Sequence, residues 1–389
     1  MFGVLWGGGL LCEFHGTTHD NSILISNSIL ENNKCEEEDV TFGTAGGGAR
    51  LAYLITDRNT IYNNLIAIQD CNFTSNKCMD GAGVSFSSTR EINNYKATNK
   101  MNFKRCKWEG NNGLFGSGVN LHLWQESDIG VLPVVEFENA FFNSNNINIS
   151  GTYPSQQGIA ALYVDHIPVI FSGNVAFQLN KQTALAAITT AITVNESANI
   201  SFKGNEADFG GAIFLSGYAY LKILAGAHIL FKSNLAKLKG GAIYAEYIGR
   251  AKAILYASCF IRPEHYYTNP KDWDFTITFV NNHADYYGND IYSTSLLPCI
   301  YPYVNIGKTQ NISEAAHQVF NWSEVFSFSS KENSIATDGI IYANKSNMIK
   351  AYPGQIVNIP VTSRDELDHS SDVALSAHCL LYTSDAADE

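Results

Sequence analysis

The sequence predicts an all-β chain: a right-handed parallel β-helix, or solenoid, followed by the start of a β-sandwich-like domain. Three observations carry this. A motif recurs along the chain, its apolar residues alternate with a period of two, and Asn and Gly return at fixed places in the bends. The motif is clearest at Ile200-Ser-Phe202-Lys-Gly-Asn205-Glu-Ala207, closed by Gly210-Gly211-Ala212-Ile213-Phe214. It returns at Ile229-Leu-Phe231-Lys-Ser-Asn234-Leu-Ala236 with Gly240-Gly241-Ala242-Ile243-Tyr244. A worn copy follows at Ile277-Thr-Phe279-Val-Asn-Asn282-His-Ala284 with Gly288-Asn-Asp290-Ile291-Tyr292. A fixed internal repeat dictates architecture before any single residue is interpreted.

Each copy reads as two short strands, with Ile200 and Phe202 on one face and Ile213 and Leu215 likewise. No copy can bury its apolar face alone, but stacked copies bury a continuous column. The asparagine after Phe-x-x sits where the strand ends, a place that favours left-handed backbone and local hydrogen bonding. Stacked amides can also bond from coil to coil and so satisfy buried polar groups. The glycine pair turns a second corner without a Cβ penalty.

Looser copies run upstream. Phe73-Thr-Ser-Asn76 leads to Gly81, Trp108-Glu-Gly-Asn111 to Gly116, and Phe142-Asn-Ser-Asn145 to Gly158. Phe171-Ser-Gly-Asn174 opens a copy without its glycine pair, and Ile29-Leu-Glu-Asn32 leads to Gly46. The asparagines lie roughly 29 to 48 residues apart, a spacing typical of solenoids.

Pairing F-x-x-N with G-G-A-I resembles the repeat of the chlamydial polymorphic outer membrane proteins and of similar β-helix surface proteins in eukaryotes. The resemblance spans about Gly7 to Tyr292. It implies an elongated extracellular or cell-surface protein, structural or adhesive, and names no ligand; a glycan or a protein surface is the kind of partner such a protein could meet. The alternating ten-residue strands of a membrane barrel do not follow, so an anchor is expected outside this sequence.

Four domains are expected: residues 1–300 as β-helix, 301–337 as linker or cap, 338–378 as an incomplete immunoglobulin-like domain, and 379–389 as an artefact. The opening residues contain Gly8-Gly9-Leu10, the tail of a repeat whose F-x-x-N half is missing. The chain is therefore expected to begin in mid-coil. Residues 355–361, Gln-Ile-Val-Asn-Ile-Pro-Val, alternate as a sandwich strand does. Cys379 to Glu389 resembles the in-frame translation of a transposase-type sequencing adapter.

The cysteines gain meaning when aligned on the repeat. Cys71 and Cys106 each precede an anchor asparagine by five residues, and Cys35 and Cys78 each follow one by two. Equivalent positions in adjacent coils stack within disulfide range, so Cys71–Cys106, Cys35–Cys78 and Cys259–Cys299 are candidate pairs. Candidate glycosylation sequons stand at Asn72, Asn148, Asn195, Asn199, Asn311, Asn321 and Asn344.

Composition narrows the partners. A net charge of −12 over 389 residues, with 16% charged residues, argues against nucleic acid. The longest apolar run, Thr183 to Val194, falls short of the ~20 residues needed to cross a bilayer. Metal-protease, nucleophile-elbow, P-loop and paired C-x-x-C patterns are absent, so neither cofactor nor catalytic site is expected. The alternative is a polysaccharide lyase or glycosidase, whose chemistry needs two converging carboxylates. Asp165, Glu136 and Glu138 are the nearest candidates but fall in different phases of the repeat. A docking face is the sharper expectation. The residue after each inward Ile or Val reads Arg50, Ser85, Asn120, Tyr163, Phe214, Tyr244, Tyr292, an aromatic stripe in the later coils pointing outward. Asp290 supports that phase, because a charge facing inward is costly.

Overall fold

A computed structural model describes residues 8–15, 18–35, 46–54, 61–88, 99–123, 133–147, 159–246, 258–263 and 272–294. Beyond these it describes residues 296, 299, 317, 319–330, 333–337, 340–343 and 361–364. Three long sheets, every strand pairing parallel, wind around one apolar core. A ten-stranded sheet runs from Leu10–His15 to Ile335–Thr337, an eight-stranded sheet from Ser22–Ser26 to Cys259–Pro263, and a nine-stranded sheet from Ile29–Glu31 to Phe326–Phe328. This is a parallel β-helix.

One coil shows the path. Ile213–Ser216 lies in the ten-stranded sheet, Tyr220–Ile223 in the eight-stranded and Ala227–Lys232 in the nine-stranded. Leu235–Lys239 then leads to the next glycine corner and Ile243. Each coil thus has three core strands where the repeat suggested two. The additional strand carries little more than alternation (Tyr-Leu-Lys-Ile at 220–223), which no fixed residue marks.

Inside, the Phe of Phe-x-x-Asn forms a continuous stack: Phe73, Trp108, Phe142, Phe177, Phe202, Phe231, Phe279 and Phe328. Successive ring centroids are 4.5–5.6 Å apart. Beside it runs an asparagine ladder through Asn33, Asn76, Asn111, Asn145, Asn180, Asn205, Asn234 and Asn282. In each step the backbone N–H and the side-chain Nδ2 of one asparagine both donate to Oδ1 of the next, at 2.8–3.2 Å. From Asn76 onward Nδ2 also donates backwards, to the carbonyl of the stacked aromatic, or Leu30, in the coil before.

Two anchors differ from the sequence reading. Asn174 is exposed and lies outside the ladder, because Phe171 belongs to the eight-stranded sheet. The anchor of that coil is Asn180, following Phe177. In the first copy Leu30 pairs with Phe73, so the anchor is Asn33 and not Asn32. The left-handed residue is also not the anchor itself but the one before it: Asn32, Ser75, Gly110, Ser144, Leu179, Gly204, Ser233 and Asn281 have φ between 51° and 64°. That kink turns the following amide inward.

The glycine corners behave as expected. Gly210, Gly240 and Gly288 have φ of 58°, 70° and 68°. At Gly241 a Cβ would collide with the carbonyl of Asn289, as one at Gly211 would with that of Gly241.

The solenoid also continues beyond residue 300. Phe326–Phe328 pairs in parallel with Ile277–Phe279, and Ile335–Thr337 with Ile291–Ser293. Part of the expected linker is therefore a further coil. Of the expected sandwich the structure describes one antiparallel pair, Ile340–Ala343 with Val361–Arg364. Residues 379–389 lie outside the described residues.

Replacing Asn180 by Ala strips the Asn145 amides of their acceptor in a dry interior. Urea denaturation should show a loss of roughly 2–4 kcal/mol, whereas Asn174→Ala should stay within about 0.5 kcal/mol of the parent.

Candidate functional site

Two rows of side chains leave the outer face of the ten-stranded sheet. The register places Leu11, Arg50, Ser85, Asn120, Tyr163, Ala186, Phe214, Tyr244 and Tyr292 in one row. The second runs Glu13, Ala52, Ser87, His122, Asp165, Ile188 and Ser216. The first is the row expected as a docking stripe, and it does point away from the core.

Its aromatic end is nevertheless covered. Phe214, Tyr244 and Tyr292 are 2%, 6% and 2% exposed and stack at 5.5 and 5.6 Å. The cover is a small parallel sheet of Glu206–Phe209, Leu235–Lys239 and His283–Ala284, formed by the segments between anchor asparagine and glycine corner. Phe209 packs on Tyr244 at 5.0 Å. The Lys239 ammonium lies 4.2 Å from the centre of the Tyr292 ring and donates to its hydroxyl at 2.6 Å. Tyr163 is half-buried against Phe115, 5.5 Å away. An exposed aromatic docking face is therefore not what the fold presents. The stripe is a second, smaller core, because the bends that read as polar turns form strands over it.

Asp290 is also buried, at 3% exposure, and ends the ladder by accepting from Nδ2 of Asn282 at 2.9 Å. Burial pushes its carboxyl up to about 6, against the hydrogen bonds from Asn282 and Ser334.

The other end of the face is polar. Arg50, 1% exposed, donates to Ser85 Oγ at 3.1 Å and Ser87 Oγ at 2.6 Å. Burial lowers its guanidinium to about 10, opposed by Glu13 and Asp80. Burial raises Asp80 to about 6, although His122 and Arg50 favour its charge. Asp165 goes the other way. Burial would raise it, but His122 at 3.2 Å and His166 at 2.5 Å hold it to about 2. Two carboxyls on one face are thus pushed apart by their surroundings, and Asp80, preceding the Gly81 corner, was not singled out in the sequence. Glu136 and Glu138 do not join them. They stand on the eight-stranded sheet, where Glu136 accepts from Ser172 Oγ at 2.7 Å and Glu138 pairs with Lys104 at 2.7 Å.

Among the cysteines, Cys35–Cys78 and Cys259–Cys299 are disulfides, with Cα separations of 5.2 and 5.1 Å. Cys71 and Cys106 face each other in adjacent coils but are free thiols. Each Sγ donates to backbone carbonyls, Cys71 to Gln69 at 3.2 Å and Cys106 to Ile68 at 3.4 Å. The expected third bridge is not formed. Of the sequons, Asn72, Asn199 and Asn321 are exposed. Asn195 is half-buried and bonded to Ser172 Oγ at 3.3 Å. Asn148, Asn311 and Asn344 lie outside the described residues. No cluster of three metal-ligating side chains occurs among the described residues.

With its ladder, aromatic stack and glycine corners, the chain is a parallel β-helix of the F-x-x-N/G-G-A-I type. Over residues 228–246 it carries the Chlamydia polymorphic membrane protein repeat, whose family model those residues match. They contain Phe231, Asn234 and the Gly240-Gly241 corner. Comparison with curated proteins and with solved structures finds no match.

Replacing Asp290 by Asn tests the buried carboxyl. Because its folded-state pKa is raised, the parent binds an extra proton when folded and loses stability as pH climbs from about 4 through about 6. The variant should equal the parent near pH 4 and exceed it near pH 7.5 by about 2 kcal/mol, measured by denaturant unfolding at both pH values.

Proposed function

We propose that this chain is the rod of an extracellular or cell-surface protein with a structural and adhesive role. The matched repeat supports the reading, since its family is named for the Chlamydia polymorphic membrane proteins. The architecture is compatible: a solenoid gives long outer faces at a distance from an anchor. No helix among the described residues is long and apolar enough to cross a membrane. Two disulfides between coils fit an oxidising compartment. Antibodies against the purified chain should label intact, unpermeabilised cells of the source organism. Labelling only after permeabilisation would refute surface display.

One observation favours a second reading, a carbohydrate-active enzyme. Asp80 and Asp165 share an outer face, one raised to about 6 and the other held to about 2, the division of labour expected of a general acid and an ionised partner. On this reading acidic or neutral polysaccharides release reducing or unsaturated ends, with activity falling as pH rises through about 6. Asp165→Asn should abolish release, and a panel of polysaccharides left intact by the parent would sink the reading.

A further inference from the structure

The outer face of the nine-stranded sheet holds a groove of about 430 Å³ that neither the ladder nor the covered aromatic row accounts for. It crosses four strands, Asn174–Gln178, Asn199–Lys203, Ala227–Lys232 and Phe275–Val280, and so runs along the solenoid axis for roughly 14 Å. The register fixes its cross-section. One wall is the row Asn174, Asn199, His228, Thr276, in which His228 Nδ1 lies 2.6 Å from Thr276 Oγ1. The floor is Ala176, Ser201, Leu230 and Thr278, mostly small side chains with Leu230 as its apolar point. The opposite row carries Lys203, which lines the groove, with Lys232 directly beside it on the next strand at the groove's rim.

Those two lysines set the chemistry. Four other outward lysines are neutralised, Lys104 by Glu138, Lys107 by Glu109, Lys181 by Glu206 and Lys237 by Asp208; what distinguishes Lys203 and Lys232 is that they stand side by side on neighbouring strands. Among the described residues no carboxylate pairs with Lys203 or Lys232. Like charges placed opposite each other on neighbouring strands are destabilising, and the pair stands out in a chain of net charge −12. The groove therefore combines an uncompensated cationic edge with a wall of amides, imidazole and hydroxyls that both donate and accept.

We propose that this groove binds a linear acidic polysaccharide, laid along the solenoid axis with its carboxylates or sulfates against Lys203 and Lys232. Its ring hydroxyls meet Asn174, Asn199, His228 and Thr276. A peptide cannot add here as a strand, because each of the four strands is already hydrogen-bonded on both sides. A nucleic acid would want a run of aromatic platforms for its bases, and the lining holds no Phe, Tyr or Trp and a single imidazole, His228, hydrogen-bonded to Thr276. The exposed sequon Asn199 forms part of the wall, so a glycan attached there would fill the groove. The inference names a ligand for the adhesive reading and rests on that reading only for where the two would meet.

Titration of the purified, unglycosylated chain with heparin, polygalacturonate, dextran and single-stranded DNA separates the outcomes independently of surface display. Heparin or polygalacturonate should bind, more weakly at high salt, and dextran should not. Which of the two binds tells sulfate from carboxylate recognition. The double variant Lys203→Gln/Lys232→Gln, at outward positions of which Lys203 is half-buried and Lys232 exposed, should weaken binding about tenfold without loss of the fold. Ser201→Trp should block the floor, and Lys104→Gln on the eight-stranded sheet should change nothing. Failure of both acidic polysaccharides, equal binding by the double variant, or equally tight DNA binding would overturn the proposal.

Discussion

One buried asparagine per coil holds this solenoid in register. Its carboxamide accepts two N–H bonds from the coil before and donates both to that coil's carbonyl and to the next asparagine. An amide so placed has no spare capacity, and in a dry interior any vacancy costs a full desolvation. Register cannot slip by one residue without breaking a donor and an acceptor in every coil. The aromatic three residues earlier is fixed by the same requirement, since its carbonyl is one of the acceptors. So is the left-handed residue before the asparagine, which turns the amide inward. The ladder ends at Asp290, a carboxylate receiving the last Nδ2.

With register secured inside, the outside is free to vary. The ten-stranded sheet is coated by a second layer over Phe214, Tyr244 and Tyr292, where consecutive cover segments pair with one another. Toward its other end the same two rows hold Arg50, His122 and Asp165, with Asp80 beside them at the Gly81 corner. Among the described residues the nine-stranded sheet carries no such coat between residues 174 and 278, where its groove lies. A functional surface on this architecture is thus a matter of which face keeps its cover.

The motif was legible because its residues satisfy strict demands: every rung of the ladder is an asparagine, and the left-handed corner positions Gly210, Gly240 and Gly288 are glycines. The errors fall where a sequence offers two equivalent choices. Phe171-Ser-Gly-Asn174 and Phe177-Gln-Leu-Asn180 both fit Phe-x-x-Asn, and only the sheet to which each phenylalanine belongs separates them. Asn32 and Asn33 are adjacent amides, one for the left-handed bend and one for the ladder. The exposed aromatic stripe was read correctly in direction and wrongly in burial, because period two tells which face a side chain takes but not what lies over that face. Cys71 and Cys106 were placed opposite each other correctly, yet their thiols turn to carbonyls instead of to one another.

The sequence alone determined the parallel β-helix, its inward column and its corners, since these follow from local backbone preference and a repeat that must stack to bury its core. Tertiary structure decided the third strand of each coil, the cover over the aromatic row, the opposed carboxyls Asp80 and Asp165, and the unpaired lysines of the groove. Those depend on which residues meet across coils 25 to 48 positions apart in the chain, a distance over which variable bends erase any fixed spacing.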